Sequence, residues 1–191
     1  MNIPPFKLVA NEQDWKRCLK KLQKESRLAV DLEANSLYVY REQICLIQVS
    51  TATEDFIIDP LADFDLSDFE AILNNPKIEK VFHASEYDMI LLKREKNWEV
   101  NNLFDTMWAA RILGYRNMGL AWFLNEFYDI TLTKKYQRAN WGKRPLSEAQ
   151  LNYAQMDTHL LLRLRDRLAA TLEEKGCMEE AVEIFEQESR V

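Results

Sequence analysis

Apolar residues along this chain of 191 residues come in short runs, and the runs alternate between the period of a strand and the period of a helix. Phe6 to Val9 reads as a short strand. Glu12 to Lys24 reads as a helix, with Trp15, Leu19 and Leu22 at helical spacing. Leu28 to Glu33, Ile44 to Ser50 and Asp55 to Asp59 read as three strands, the last stopped by Pro60. Ser67-Asp68-Phe69-Glu70 has capping-box spacing and predicts a helix to about Leu73, ended by Asn74-Asn75-Pro76. A strand over Ile78 to His83 and a helix over Ser85 to Lys96 follow. Phe104 to Leu113 reads as a helix broken by Gly114, and Gly119 to Phe127 as another. Ser147-Glu148-Ala149-Gln150 is a second capping box, and the long helix it opens is expected to reach about Lys175, with Gly176 as its stop. Consecutive strands followed by strand–helix alternation predict an α/β layered domain with a mixed sheet. No internal repeat, low-complexity segment or interdomain linker stands out, so residues 1–191 are expected to form one domain.

Composition narrows the class. The hydrophobic fraction of 47% and charged fraction of 29% are those of a soluble globular protein. No apolar stretch approaches membrane-spanning length. Met1-Asn2-Ile3-Pro4-Pro5 lacks the basic and apolar regions of a signal peptide. Cys18, Cys45 and Cys177 are far apart, which fits reduced thiols in a cytoplasmic protein rather than a disulfide set or a zinc site. The net charge of −6 argues against indiscriminate nucleic-acid binding, which relies on a basic surface. One stretch runs against that balance. Residues 130 to 147 hold Lys134, Lys135, Arg138, Lys143 and Arg144, no acid before Glu148, and Tyr136 and Trp141 interleaved. That is the composition of a phosphate and base contact strip, and equally of a solvated loop.

The chemistry lies in a few carboxylates. On the strand over Leu28 to Glu33, side chains alternate, so Asp31 and Glu33 share one face and Val30 and Leu32 the other. On the helix after Pro145, Tyr153 and Asp157 are spaced i, i+4 and share a face. Asp88 opens a helix after the apolar run Val81-Phe82. Asp-x-Glu and Tyr-x-x-x-Asp are each common without function. Four carboxylates brought together, however, raise one another's pKa unless a cation neutralises them. Two divalent metals would resolve that, and two metals suit phosphodiester cleavage.

The surround of these residues resembles the ribonuclease D family, the tyrosine subtype of the DEDD 3′-5′ exonucleases. The matching segments are Ala29-Val30-Asp31-Leu32-Glu33, Ile44-Cys45-Leu46-Ile47-Gln48-Val49-Ser50, Val81-Phe82-His83-Ala84 and Leu103-Phe104-Asp105-Thr106. Trp141, Arg144-Pro145-Leu146-Ser147 and Tyr153-Ala154 through Asp157 continue the series. Thr53 to Asp59, Lys135 to Trp141 and Asp157-Thr158-His159 look like the exosome-associated nuclear branch. The resemblance covers roughly residues 5 to 170. It implies a ribonuclease H-like fold, a mixed central sheet flanked by helices, with the active site at a sheet edge. It also implies metal-ligand roles for Asp31, Glu33, Asp88 and Asp157, with two ions, Mg²⁺ or Mn²⁺, as oxygen ligands and phosphate substrates favour. Asp31 would bridge both ions, Glu33 and Asp157 would hold the ion that activates water, and Asp88 would act on the second. Tyr153 would orient the attacking water, because a phenol of pKa near ~10 is a poor base at neutral pH.

Lys134 and Gln137 fall where exosome-branch relatives contact the RNA terminus. Arg138, Trp141 and His83 are further candidate substrate contacts. Trp141 has a core or lid role as its alternative, and His83 a hydrogen bond at a strand end. His159 is expected to point away from the metal face. Leu91 departs from the branch, which carries an aromatic there against the terminal base. Longer family members carry a helical RNA-binding domain after the nuclease, for which Cys177 to Val191 are too short. The expected activity is metal-dependent 3′-5′ exoribonuclease action on single-stranded RNA ends, releasing 5′-mononucleotides. A DNA exonuclease and a non-catalytic nucleic-acid-binding module are the alternatives. Matched RNA and DNA oligomers separate the first two, and chelation of the metal separates enzyme from binder. Any protein partner is left open.

Overall fold

The computed structural model describes residues 3–36 and 40–191. Six strands form one mixed sheet: β1 (Lys7–Val9), β2 (Arg27–Ala34), β3 (Ile44–Ser50), β4 (Asp55–Ile58), β5 (Glu79–Phe82) and β6 (Leu103–Asp105), in the order β1-β4-β3-β2-β5-β6. β3 runs antiparallel to both β2 and β4, and the remaining pairs are parallel. Every residue of the central β3 is buried, so it reads as an unbroken run rather than an alternation. The neighbouring β2 carries the alternation that separates the two faces.

One face packs against α1 (Glu12–Leu22). Asn11 caps that helix by accepting from the Asp14 amide at 3.0 Å, and its buried Trp15, Cys18 and Leu22 meet Val30, Val49 and Phe56. Below them lie α2 (Phe69–Leu73) and α3 (Glu86–Leu91), which runs into a π-helical turn over Leu92–Lys96 closed by Asn97 in the left-handed region. The other face is covered by α6 (Glu148–His159) over β2, β3 and β4. Alongside it, α4 (Thr106–Ile112), α5 (Leu120–Tyr128), α7 (Leu161–Glu174) and α8 (Met178–Glu188) build a second core around Phe104, Phe123, Leu164 and Phe185.

Four elements differ from their sequence expectation. The helix expected from Ser67 starts at Phe69, because the Ser67 hydroxyl turns back to Asp65 at 3.0 Å instead of capping. Leu103 to Asp105 pair with β5, so the helix expected from Phe104 begins only at Thr106. The long helix after Ser147 has its capping box as expected but divides at Leu160. Its halves serve different neighbours: α6 lies on the sheet, while α7 buries Leu161, Leu164, Leu168 and Leu172 in the second core. Finally, Met178 to Glu188, to which the sequence pattern assigned no element, form α8, with Phe185 against Phe104 at 4.7 Å between ring centroids.

Candidate active site

Asp31 and Glu33 leave β2 on the face that α6 covers, just before the register shifts between Glu33 and Ala34. α6 is anchored at its start by the Ser147–Gln150 capping box and brings Asp157 over the sheet, so that oxygens of Asp31, Glu33 and Asp157 lie within 4.8 Å of one another. Asp88 sits buried in the first turn of α3. It falls outside that tight group, yet the charges of Asp31 and Asp157 act on it. Three carboxylates thus lie close together, with a fourth farther off.

Electrostatics point the same way. Burial pushes Asp31 up from its ordinary 3.8 to about 7. Burial, then the charges of Asp31, Asp157 and Asp88, push Glu33 up to about 10. Burial followed by Asp31 holds Asp157 well above the usual carboxylate range, and burial followed by Asp31, Asp105 and Asp157 does so for Asp88. Such a set costs free energy when ionised and uncompensated. An all-oxygen donor set of this kind fits a hard divalent cation.

Asp88 depends on a turn to which the residue pattern assigns no functional role. Ala84 adopts a positive φ of 61°, and the turn is pinned by the fully buried Asp105. That carboxylate accepts from the amides of Ala84, Ser85, Met107 and Trp108 and from the Ser85 hydroxyl, at 2.6 to 3.2 Å. It caps α4 and fixes the start of α3 at once. An Asp just before a helical run is a legible cap signal; its second duty is visible only in the fold. His83, a candidate substrate contact, instead lies 2.9 Å through Nδ1 from Thr106 Oγ1. The Thr106 proton goes to the Phe82 carbonyl at 3.0 Å, so Nδ1 is the donor. Burial lowers the pKa of His83. Its place is the strand-end hydrogen bond.

Tyr153 stands at the site with its ring between Trp141 (6.1 Å, stacked) and Tyr136 (5.8 Å, edge-on). Burial, then the charges of Asp157, Glu33 and Asp31, raise its phenol above the ordinary value, so it keeps its proton. Trp141 is 1% exposed and offers no face to a base; its work is to back Tyr153. Arg144 likewise leaves the contact strip. Its guanidinium is held by both oxygens of Asp59 (2.7 and 2.8 Å) and by the carbonyls of Trp141 and Cys45 (both 2.7 Å), which ties the loop to β3 and β4. Lys134, Lys135, Gln137, Arg138 and Lys143 are exposed on the loop whose Tyr136 meets Tyr153, and the Lys135 ammonium lies over the Tyr136 ring at 5.3 Å. Leu91 is buried in the α1-side core, so the position expected to touch a terminal base faces the interior.

Behind α6 runs a polar network absent from the sequence expectation. Asp55 Oδ2 accepts from Gln155 Nε2 at 2.6 Å and pairs with His159 Nδ1 at 2.8 Å, and Ser50 meets Thr158 at 2.7 Å. His159 thus lies away from the carboxylates, as its helical position predicts. Among the described residues no helix is long and apolar enough to cross a membrane.

With this geometry in place, comparison with known proteins is specific. The 3′-5′ exonuclease family signature matches residues 6–173. The chain is 41% identical over 172 residues to the exosome complex component 10 homolog of Caenorhabditis elegans, covering 88% of this chain and 19% of that protein. It thus spans about a fifth of the length of the curated relatives it matches. The catalytic core of RRP6 from Trypanosoma brucei superposes with a TM-score of 0.88 at 33% identity, over 97% of this chain and 52% of that one. RNase D of Escherichia coli, an exoribonuclease involved in structured RNA processing, superposes with a TM-score of 0.90 at 28% identity, over 98% of this chain and 50% of that one.

Proposed function

The chain belongs to the 3′-5′ exonuclease family, and from that premise we propose that it hydrolyses single-stranded RNA from a free 3′-hydroxyl end, releasing 5′-mononucleotides. The observation that carries the reading is the convergence of Asp31, Glu33 and Asp157, with the buried Asp88 within reach of the charges of Asp31 and Asp157. A decayed binding module would have no reason to keep four carboxylates in so costly an arrangement.

Asp31, Glu33 and Asp157 would hold a divalent cation, with Asp88 serving a second; two ions, and Mg²⁺ or Mn²⁺ as their identity, suit this oxygen set. Such cations lower the pKa of water and neutralise charge on the scissile phosphate. The remaining work falls to side chains. Tyr153 keeps its proton and donates a hydrogen bond, so it orients a water or phosphate oxygen rather than removing a proton. Trp141 and Tyr136 fix the plane of its ring. In this reading Lys134 and Gln137 would contact the last nucleotides, and the exposed Lys135, Arg138 and Lys143 would hold phosphates further along. A task in RNA maturation or decay within a larger exosome-type assembly follows from the names of the relatives.

The test uses end-labelled oligomers. A 5′-labelled RNA should give a descending ladder and a 3′-labelled RNA should release labelled mononucleotide at once, both abolished by EDTA. Faster cleavage of the matched DNA would move the substrate to DNA. Fragments from a circular RNA would overturn exonuclease action.

A further inference from the structure

Gln48 lies at the centre of β3, directly opposite Asp31 in the antiparallel register. Residues opposite one another in such a pair project from the same face with their Cβ atoms about 4.5–5.5 Å apart. Gln48 therefore lies under α6 on the carboxylate side, in line with Ile57 on β4. Its side chain is 0% exposed, and both its Nε2 and its Oε1 are buried without a hydrogen-bond partner. Among the described residues no other side chain leaves two such atoms unmet.

A buried amide left unmet is unfavourable, and an apolar residue of the same size would fit a central strand better. The neighbouring polar groups under α6 behave differently: Ser50, Asp55, Gln155, Thr158 and His159 all find partners among themselves. Gln48 instead faces the carboxylate cluster, directly opposite Asp31. An amide that donates through Nε2 can meet an ionised carboxylate, and one that accepts through Oε1 can meet a water bound beside it.

We propose that Gln48 is a positioning residue of the active site: when the carboxylates are ionised around a divalent cation, its amide hydrogen-bonds Asp31, directly or through one buried water, and fixes that ligand's orientation. The inference rests on the metal-dependent reading above and adds to it a specific outer support for one ligand. Partners of this outer kind typically contribute about 10–100-fold to metal affinity or activity.

The test compares wild type with Gln48→Leu and Gln48→Met, both apolar and close in volume. Mn²⁺ affinity is measured by titration calorimetry on the chelator-stripped protein, together with its thermal midpoint and the steady-state cleavage of a short RNA. The metal-free midpoint should be unchanged or higher in the variants, because a buried amide gives way to an apolar side chain of similar volume. Mn²⁺ affinity should fall by about 10–100-fold, and kcat should fall with KM for RNA unchanged. A variant with wild-type Mn²⁺ affinity and kcat overturns the role of Gln48. A wild-type protein that binds no Mn²⁺ overturns the metal reading itself. A variant whose metal-free form is strongly destabilised also counts against the proposal, since Gln48 would then be meeting its partners without the cation.

Discussion

Asp31 is the residue on which the most depends, since it acts on Glu33, Asp88, Asp157 and Tyr153. Asp31→Asn should abolish cleavage and leave the metal-free fold as stable or more so, because one buried repulsion goes; cleavage near the wild-type rate in Mg²⁺ would overturn the assignment. The pH dependence has a definite sign. Asp31 titrates near 3.8 when unfolded and about 7 when folded, so the folded protein binds the extra proton between those values. Its contribution to stability is full below the unfolded pKa and is lost as pH rises through the folded one, and Glu33 extends the loss towards about 10. The metal-free melting temperature should therefore carry a falling component from pH 4 to pH 7 that saturating Mg²⁺ reduces, read from parallel melts in EDTA and in Mg²⁺. Tyr153→Phe should slow turnover by about 10²–10⁴-fold while metal affinity survives, since the phenol donates without being a ligand. At this scale the carboxylates and Tyr153 were legible, because strand and helix periods dictate which side chains share a face. The occupations of Trp141 and Leu91 were not, because the same residue types serve a core or a rim and only packing decides.

Elements place these residues, and two small devices set the angles. Asp105 closes the first turn of α4 and the Ala84–Ser85 turn before Asp88. Asp105→Ala would leave several amides unmet in the interior and should cost more than about 2 kcal/mol, beyond the usual loss of a cap; urea denaturation reads it. The loop from Thr131 to Leu146 is held by Arg144 and Trp141, and its lysines stand exposed on it. Lys134→Ala should raise KM and lower kcat, because a misplaced terminal nucleotide loses alignment, while Lys143→Ala should act on KM alone. Cleavage rates over a salt series check both, and wild-type behaviour at every salt would show that RNA enters elsewhere. Helix starts such as Ser147 could be read from capping chemistry. The break at Leu160 could not: no Gly or Pro marks it, and it arises where two halves of one helical pattern meet different cores.

In the whole molecule the two cores divide the labour. The α1-side core and the sheet hold β2 in place, while Phe104, Leu164 and Phe185 bind the tail to the body. Phe185→Ala should cost about 3–5 kcal/mol, the usual range for a buried phenylalanine, and leave metal affinity intact because α8 packs on β6, α4 and α7, which carry none of the four carboxylates. Tail packing was invisible in the sequence because α8 owes its order to Phe104, a residue far away along the chain. The register of β2 carries a different kind of consequence. Asp31 and Glu33 belong to the α6 side only by parity, and a shift of one residue turns both towards α1. Substitutions along Leu28 to Val30 would change the protein by degrees, whereas a single inserted or deleted residue there would exchange its two faces outright. The strand can absorb changes in its letters but not in its count, and a library of one-codon insertions should show that boundary as an abrupt gap among the survivors.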